Sequence, residues 1–303
     1  MTVLEVVTVS YCSKGQGFFW RDVLTFIVLF MFFSTIVNAE PEAKLIEFWD
    51  DREPTSIMQI DHSAWQDILT AYVDDQHPSG VNRFDYASVT PADALKLKNY
   101  LSYLQQFEPR QFNSEEAKAF WINLYNAILV DKVFDVYQKG SNRAINRLLR
   151  GSLRTTGWSR DWVKVVMQKM SLNDIEHGVL RPIWNDPRVH FAISKGALSS
   201  AHIQKTAFNG DNNEVLLEKA KVEFMQHPRA VRLEGSRVIL NSVFDWYGID
   251  FGQSKRAVLA YVRGNTSELR SQAMTGLSST SFEYDWTLNT PDATLEFAVA
   301  SDQ

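Results

Sequence analysis

The chain has 303 residues, 45% of them hydrophobic and 13% aromatic, enough apolar mass for a sizeable core and too much for a disordered chain. Its formal net charge is −5, with acidic and basic residues interspersed. The absence of a basic block excludes a nucleic-acid footprint and a polybasic hold on an anionic membrane surface.

In chain order, the first feature is Val23–Val37, VLTFIVLFMFFSTIV, which no charge interrupts. As a helix it spans about 22 Å, short of the roughly 30 Å hydrocarbon core of a bilayer. Lys14 and Arg21 precede it. Val37 and Ala39 supply small residues at −3 and −1 of a cleavage site, and polar Glu40-Pro41-Glu42 follows. This is the order of a secretory signal over residues 1–39, which implies a periplasmic or extracellular protein without stable membrane insertion after cleavage. The single cysteine, Cys12, lies in that signal. The mature chain of about 260 residues is then cysteine-free, which excludes disulfides, thiolate nucleophiles, cysteine-ligated zinc and a lipoprotein anchor, and it is long enough to fold without staples.

A polar lead over residues 40–56 precedes one globular domain over 57–303, with no repeat and no linker to divide it. Trp65, Ile68, Leu69, Tyr72 and Val73 fall on one helical stripe, which His77-Pro78-Ser79-Gly80 closes. Pro91–Phe107 predicts a second helix, with proline in its first turn. Asn113 caps a third, with Glu116 in capping-box spacing. The run from Ser114 to Gln138 is apolar almost all round at its middle, the pattern of a buried central helix. Ala144–Arg150 reads as helix and Gly151–Arg160 as irregular.

Trp162–Val166 and Gln168–Met170 alternate as short strands. Ser171 with Asp174 opens the helix SLNDIEHGVLRPIW, and Val189–Ile193 is a buried-strand candidate. Asn213–His227 is helical, Ala230–Glu234 and Arg237–Leu240 flank the two-residue turn Gly235-Ser236, and Ser254–Val262 is helical again. Helices dominate and strands cluster. The expected fold is therefore α+β, a mostly helical single domain with a buried central helix and a small, mainly antiparallel sheet.

Candidate site residues are the polar groups set in the most apolar segments. Asn123 and Asn126 share a face of the central helix, beside Trp121 and Tyr125. They line a cleft or pin neighbouring loops, since a buried amide without a partner costs about 1–3 kcal/mol. Glu176 and His177 adjoin on the Ser171 helix, and His190 sits in the strand candidate. A histidine is the usual proton shuttle near neutral pH, but a lone one is more often a satisfied core group. Lys195, Ser199, Ser200 and His202 follow in a small-residue turn without a nucleophile-elbow motif. Convergence of Trp121, Asn123, Asn126, His177 and His190 on one concavity is expected, with Glu176 orienting an imidazole or pairing with an arginine. His62, His77 and His227 are scattered, and no metal-ligand spacing, phosphate loop or dinucleotide fingerprint is present, so neither a metal nor a cofactor is expected.

The blocks AFWINLYNA, SLNDIEHGVLRP, DPRVHFAIS, FDWYGIDF and YDWTLN, in that order and spacing, resemble the family called domain of unknown function 547, in its exported bacterial branch. In that family the histidine of the third block precedes Asn-Cys-Ala-Ser and then Cys-Pro. Position by position, His190 matches, Ser194 stands for the Asn, Lys195 for the first Cys, Ser200 for the second Cys and Ala201 for the Pro. Both family cysteines are missing, so any thiol chemistry they imply is absent here. A remote likeness to papain- or transglutaminase-like folds adds a second reading. The first reading is an exported domain that binds a small molecule, peptide or envelope component at a cleft that includes Trp121, Asn123, Asn126 and Lys195. The second is a hydrolase or transferase on amide-like bonds, with catalytic groups among His190, His177, Glu176 and Ser200.

Overall fold

A computed structural model describes residues 42–151, 158–275 and 279–295. The segment read as a signal lies outside the described residues, as does most of Gly151–Arg160.

The lead segment is more than a polar tail. It forms a 3-10 turn, Glu47–Trp49, whose Trp49 is only 1% exposed and packs edge-on against Trp121. Next come α1 (Ser63–Tyr72), a two-residue ladder of β1 (Val73–Asp74) with β2 (Arg83–Phe84), and α2 (Pro91–Leu104), whose Thr90 caps Asp93 N–H.

The central helix α3 (Ser114–Tyr137) starts where Asn113 accepts hydrogen bonds from the N–H groups of Glu115 and Glu116. Glu116 does not close the expected capping box. Its buried carboxylate accepts from Ile60 N–H at 2.8 Å and Gly210 N–H at 2.7 Å, tying two distant loops to the helix start. Nearly every residue from Glu116 to Val130 is buried, as the all-round apolar pattern predicts, because other elements cover α3 on all sides.

After α4 (Asn142–Arg150) comes a hairpin of β3 (Val163–Val165) and β4 (Gln168–Met170). The expected Ser171 helix is in fact a π-helical stretch, Asp174–Leu180, continued by α5 (Arg181–Trp184). The carbonyls of His177 and Gly178 accept from Lys44 N–H and Ile46 N–H, both at 2.9 Å. Ile46 packs closely over Gly178: a Cβ there would lie 2.5 Å from Ile46 Cδ1, so a larger residue would force the Ile46 side chain to shift.

Val189–Ile193 corrects the sequence reading. It is not a strand: Val189–Ala192 is the short helix α6, and only Ile193 turns extended. α7 (Asn213–Met225) leads to the expected hairpin of β5 (Val231–Glu234) and β6 (Arg237–Asn241), closed by the pair Glu234–Arg237. The chain continues through α8 (Val243–Trp246), α9 (Gly248–Phe251), α10 (Lys255–Asn265) and α11 (Glu268–Ala273). β7 (Ser279–Glu283) then joins β6 in parallel, giving the order β5-β6-β7. The fold is thus α+β and mostly helical, and the ladders are antiparallel except β6 with β7.

Apolar side chains gather into a large cluster around α3 and a smaller one around α7, β5, β6 and α8–α10. The polar residues singled out in the sequence fall largely along the seam between them.

Candidate functional site

The seam is built from four separate segments. The π-helical stretch supplies Glu176 and His177, α6 supplies His190, the turn after Ile193 supplies Lys195 and Ser200, and α8–α9 supplies Tyr247 and Asp250. Asn126 of α3 holds the turn in place. Its amide donates to Ala192 carbonyl at 2.9 Å, and its Oδ1 accepts from Ser194 N–H at 2.9 Å. Gly196, with φ +72°, then reverses the chain so that Lys195 and Ser200 face inward.

Two charge-paired groups share this centre. In the first, the Lys195 ammonium pairs with Glu176 Oε2, and both groups bond the Tyr125 hydroxyl, Lys195 Nζ at 3.0 Å and Oε2 at 3.1 Å. The ammonium lies 5.0 Å from the ring centre of Trp158, 5.5 Å from that of Tyr125 and 5.7 Å from that of Tyr247, an aromatic cage for a cation. Glu176 is fully buried, which would raise its pKa, yet Lys195 and the nearby imidazoles hold it well below the usual carboxylate range.

In the second group, Asp250 accepts from Arg181 Nε at 2.6 Å and Nη2 at 3.0 Å, and its Oδ2 also takes His190 Nε2 at 2.6 Å. Burial would raise the pKa of Asp250, but these bonds bring it down to about 2. Arg181 Nη1 donates to His177 Nδ1 at 3.1 Å. Burial pushes His177 down to about 4 against the pull of Glu176, and it pushes His190 down against Asp250. Both imidazoles are therefore neutral near pH 7. His190 stacks on Tyr247 with ring centres 4.3 Å apart.

Glu176, His190, Lys195 and Ser200 line one chamber, walled also by Trp246, Tyr247 and Tyr284. The chamber leaves only about 20 Å³, room for roughly one water molecule. Ser200 Oγ accepts a 2.6 Å bond from Lys195 N–H, and among the described residues no hydrogen bond joins it to an imidazole. A nucleophile–base pair is therefore not assembled. His177 adjoins the chamber through Arg181 and Tyr247 without lining it.

Trp121 and Asn123 do not reach this place. Trp121 is core, packed between Trp49 and Phe120. Asn123 pins a loop, donating to Phe208 carbonyl at 2.7 Å and accepting from Phe208 N–H at 3.1 Å. These bonds satisfy the amide inside the core, so no cleft is needed to solvate it. Sequence reasoning missed Asp250 and Tyr247, and named Tyr125 only as a neighbour of the asparagine pair. The first two lie in FDWYGIDF, where Phe244, Tyr247 and Phe251 read as one ordinary helical core stripe and nothing marks Asp250 as a partner of His190.

Beside the chamber lies a far larger groove of about 1050 Å³. Leu240 of β6, Phe244 of α8, Val258 and Leu259 of α10 and Phe282 of β7 give it an apolar floor. Glu42, Asp245, Asp250 and Lys255 stand on its wall. Asp250 thus faces the groove on one side and holds Arg181 and His190 on the other.

Residues 109–225 match the family model described as "Protein of unknown function, DUF547". The match supports the family resemblance over the segment that runs from the start of α3 to the end of α7. It includes Glu176, His190, Lys195 and Ser200, whereas Asp250 and the groove floor lie beyond it. No curated protein and no solved structure matches the chain.

Proposed function

We propose that this is an exported ligand-binding domain in which the groove beside Asp250 takes a small molecule, peptide or envelope component. The chamber at the Lys195 turn is then a charge-paired support in which no nucleophile–base pair is assembled among the described residues. The single observation that carries this reading is the contrast in space across Asp250. On its inner side Lys195 occupies the chamber as a caged ammonium paired with Glu176. On its outer side the groove is roomy, apolar at its floor and polar at its wall, the usual make-up of a ligand site. Export rests on the order of charge, apolar run and small residues before Glu40.

Native mass spectrometry of the full chain produced in a bacterial host and recovered from the periplasm tests both parts. The expected result is a polypeptide mass beginning at Glu40, accompanied by a retained ligand mass that is lost on denaturation. A polypeptide that keeps Val23–Val37 would refute cleavage, and a ligand-free protein that takes up nothing from an envelope extract would refute the binding role.

One observation favours hydrolysis or transfer at amide-like bonds instead: Asp250 orients the His190 imidazole as a carboxylate orients a general base. Under that reading Ser200→Ala abolishes turnover. Under the binding reading it leaves ligand retention unchanged.

A further inference from the structure

The groove has a sign as well as a shape. Of the carboxylates on its wall, Asp250 is already neutralised by Arg181 from behind. Glu42 and Asp245 are exposed, and neither makes an ion pair or side-chain hydrogen bond among the described residues. Lys255 is the one cation on the described wall, and it too is unpaired. Two free carboxylates against one free ammonium leave the wall net negative. The floor beneath is apolar and mostly buried, with Leu240 and Phe244 nearly inaccessible and Ile249 standing 62% exposed at the edge.

We infer that the groove's ligand is a cationic amphiphile: an apolar body for the floor, carrying an amine or guanidine that meets Glu42 and Asp245. The chemistry follows from complementarity. Burying an apolar chain against Ile249, Leu259 and Phe282, the apolar lining residues that keep exposed surface, supplies affinity at about 25 cal/mol per Å² removed from water, for a head of either charge. The head group decides between ligands. A cation offsets the free carboxylates, whereas an anion meets like charge. Because Glu42 and Asp245 are exposed, the preference is screened by salt with a Debye length of about 8–10 Å at physiological ionic strength. The inference rests on the groove being the binding site, as proposed above.

A matched pair of probes separates the two claims. Dodecylammonium and dodecanoate share the apolar chain and differ in head charge, and each is titrated below its micellar concentration into the intact protein by calorimetry. The expected result is binding of both, with dodecylammonium at least about fivefold tighter at low salt, a ratio that shrinks as salt screens the wall. Asp245→Asn should lower that ratio without changing dodecanoate binding much, and Ile249→Ser should weaken both probes alike. Equal affinity, or tighter dodecanoate, overturns the charge preference and leaves the groove standing. Binding of neither probe, or binding of both that Ile249→Ser and Asp245→Asn leave untouched, overturns the groove itself.

Discussion

The chamber and the groove meet at Asp250, which lines the groove and bonds the chamber's His190, yet they use polar chemistry in opposite ways. In the chamber and the polar groups behind it, every formal charge is matched. Lys195 faces Glu176, Arg181 faces Asp250, and the imidazoles of His177 and His190 are kept neutral by burial. In the groove Glu42, Asp245 and Lys255 stand in solvent over an apolar floor, with no ion-pair partner among the described residues. The difference separates residues that look alike in a sequence. A polar group in an apolar segment is most often there because a partner sixty residues away satisfies it, as Asp250 does for His190.

The largest expected effect tests the chamber as a support. Lys195→Met removes the counter-charge of a fully buried carboxylate, and should destabilise the fold by about 3–5 kcal/mol in urea denaturation. A loss under about 0.5 kcal/mol would mean that Glu176 does not depend on Lys195.

Leu124→Ala, in the stretch of α3 that is buried all round and that also carries the Asn126 clamp, should cost about 2–5 kcal/mol. A surface-like change would show that α3 is peripheral and could not serve as the platform for the seam.

Acidification acts on the chamber through His177. Its folded pKa of about 4 lies below the unfolded value of 6.5. Its contribution is therefore fully present above pH 6.5 and is lost as pH falls through 4, because the unfolded state binds the proton first. The shift corresponds to a loss on the order of 3 kcal/mol across that window. His62, His202 and His227 are depressed by burial in the same way, so His177→Gln should reduce the slope of the stability profile between pH 6.5 and 4 without abolishing it. An unchanged slope would place the proton uptake elsewhere.

The smallest effect sharpens the other side. Ile249→Ser and Asp245→Asn, both at the groove rim, should each shift stability by less than about 0.5 kcal/mol while changing ligand affinity. Large destabilisation by either would make the rim a structural element instead of a binding surface.

Much of the scaffold could be read in advance, and the reasons are local. α3 shows itself by apolar residues on all sides and an asparagine cap, and β5–β6 by a two-residue glycine turn between alternating runs. Where local pattern ran out, so did the reading. Val189–Ile193 is too short and too apolar for periodicity to separate helix from strand, and it proved helical up to Ala192. The polar lead conceals Ile46 and Trp49, which dock on the π-helical stretch and on Trp121. Glu176 was expected to serve an imidazole or an arginine and is held by Lys195 instead. Asn126 supports the chamber while Asn123, one turn away, pins an unrelated loop. Spacing along a helix fixes the direction of a side chain but says nothing of which loop arrives to meet it.

The central claim, that ligand occupies the groove and not the chamber, is tested most directly by native mass spectrometry of three proteins prepared alike: the parent, Ile249→Ser and Ser200→Ala. The retained ligand mass should be present in the parent and in Ser200→Ala and be diminished in Ile249→Ser. Loss in Ser200→Ala with full retention in Ile249→Ser would contradict the account and move the site to the chamber.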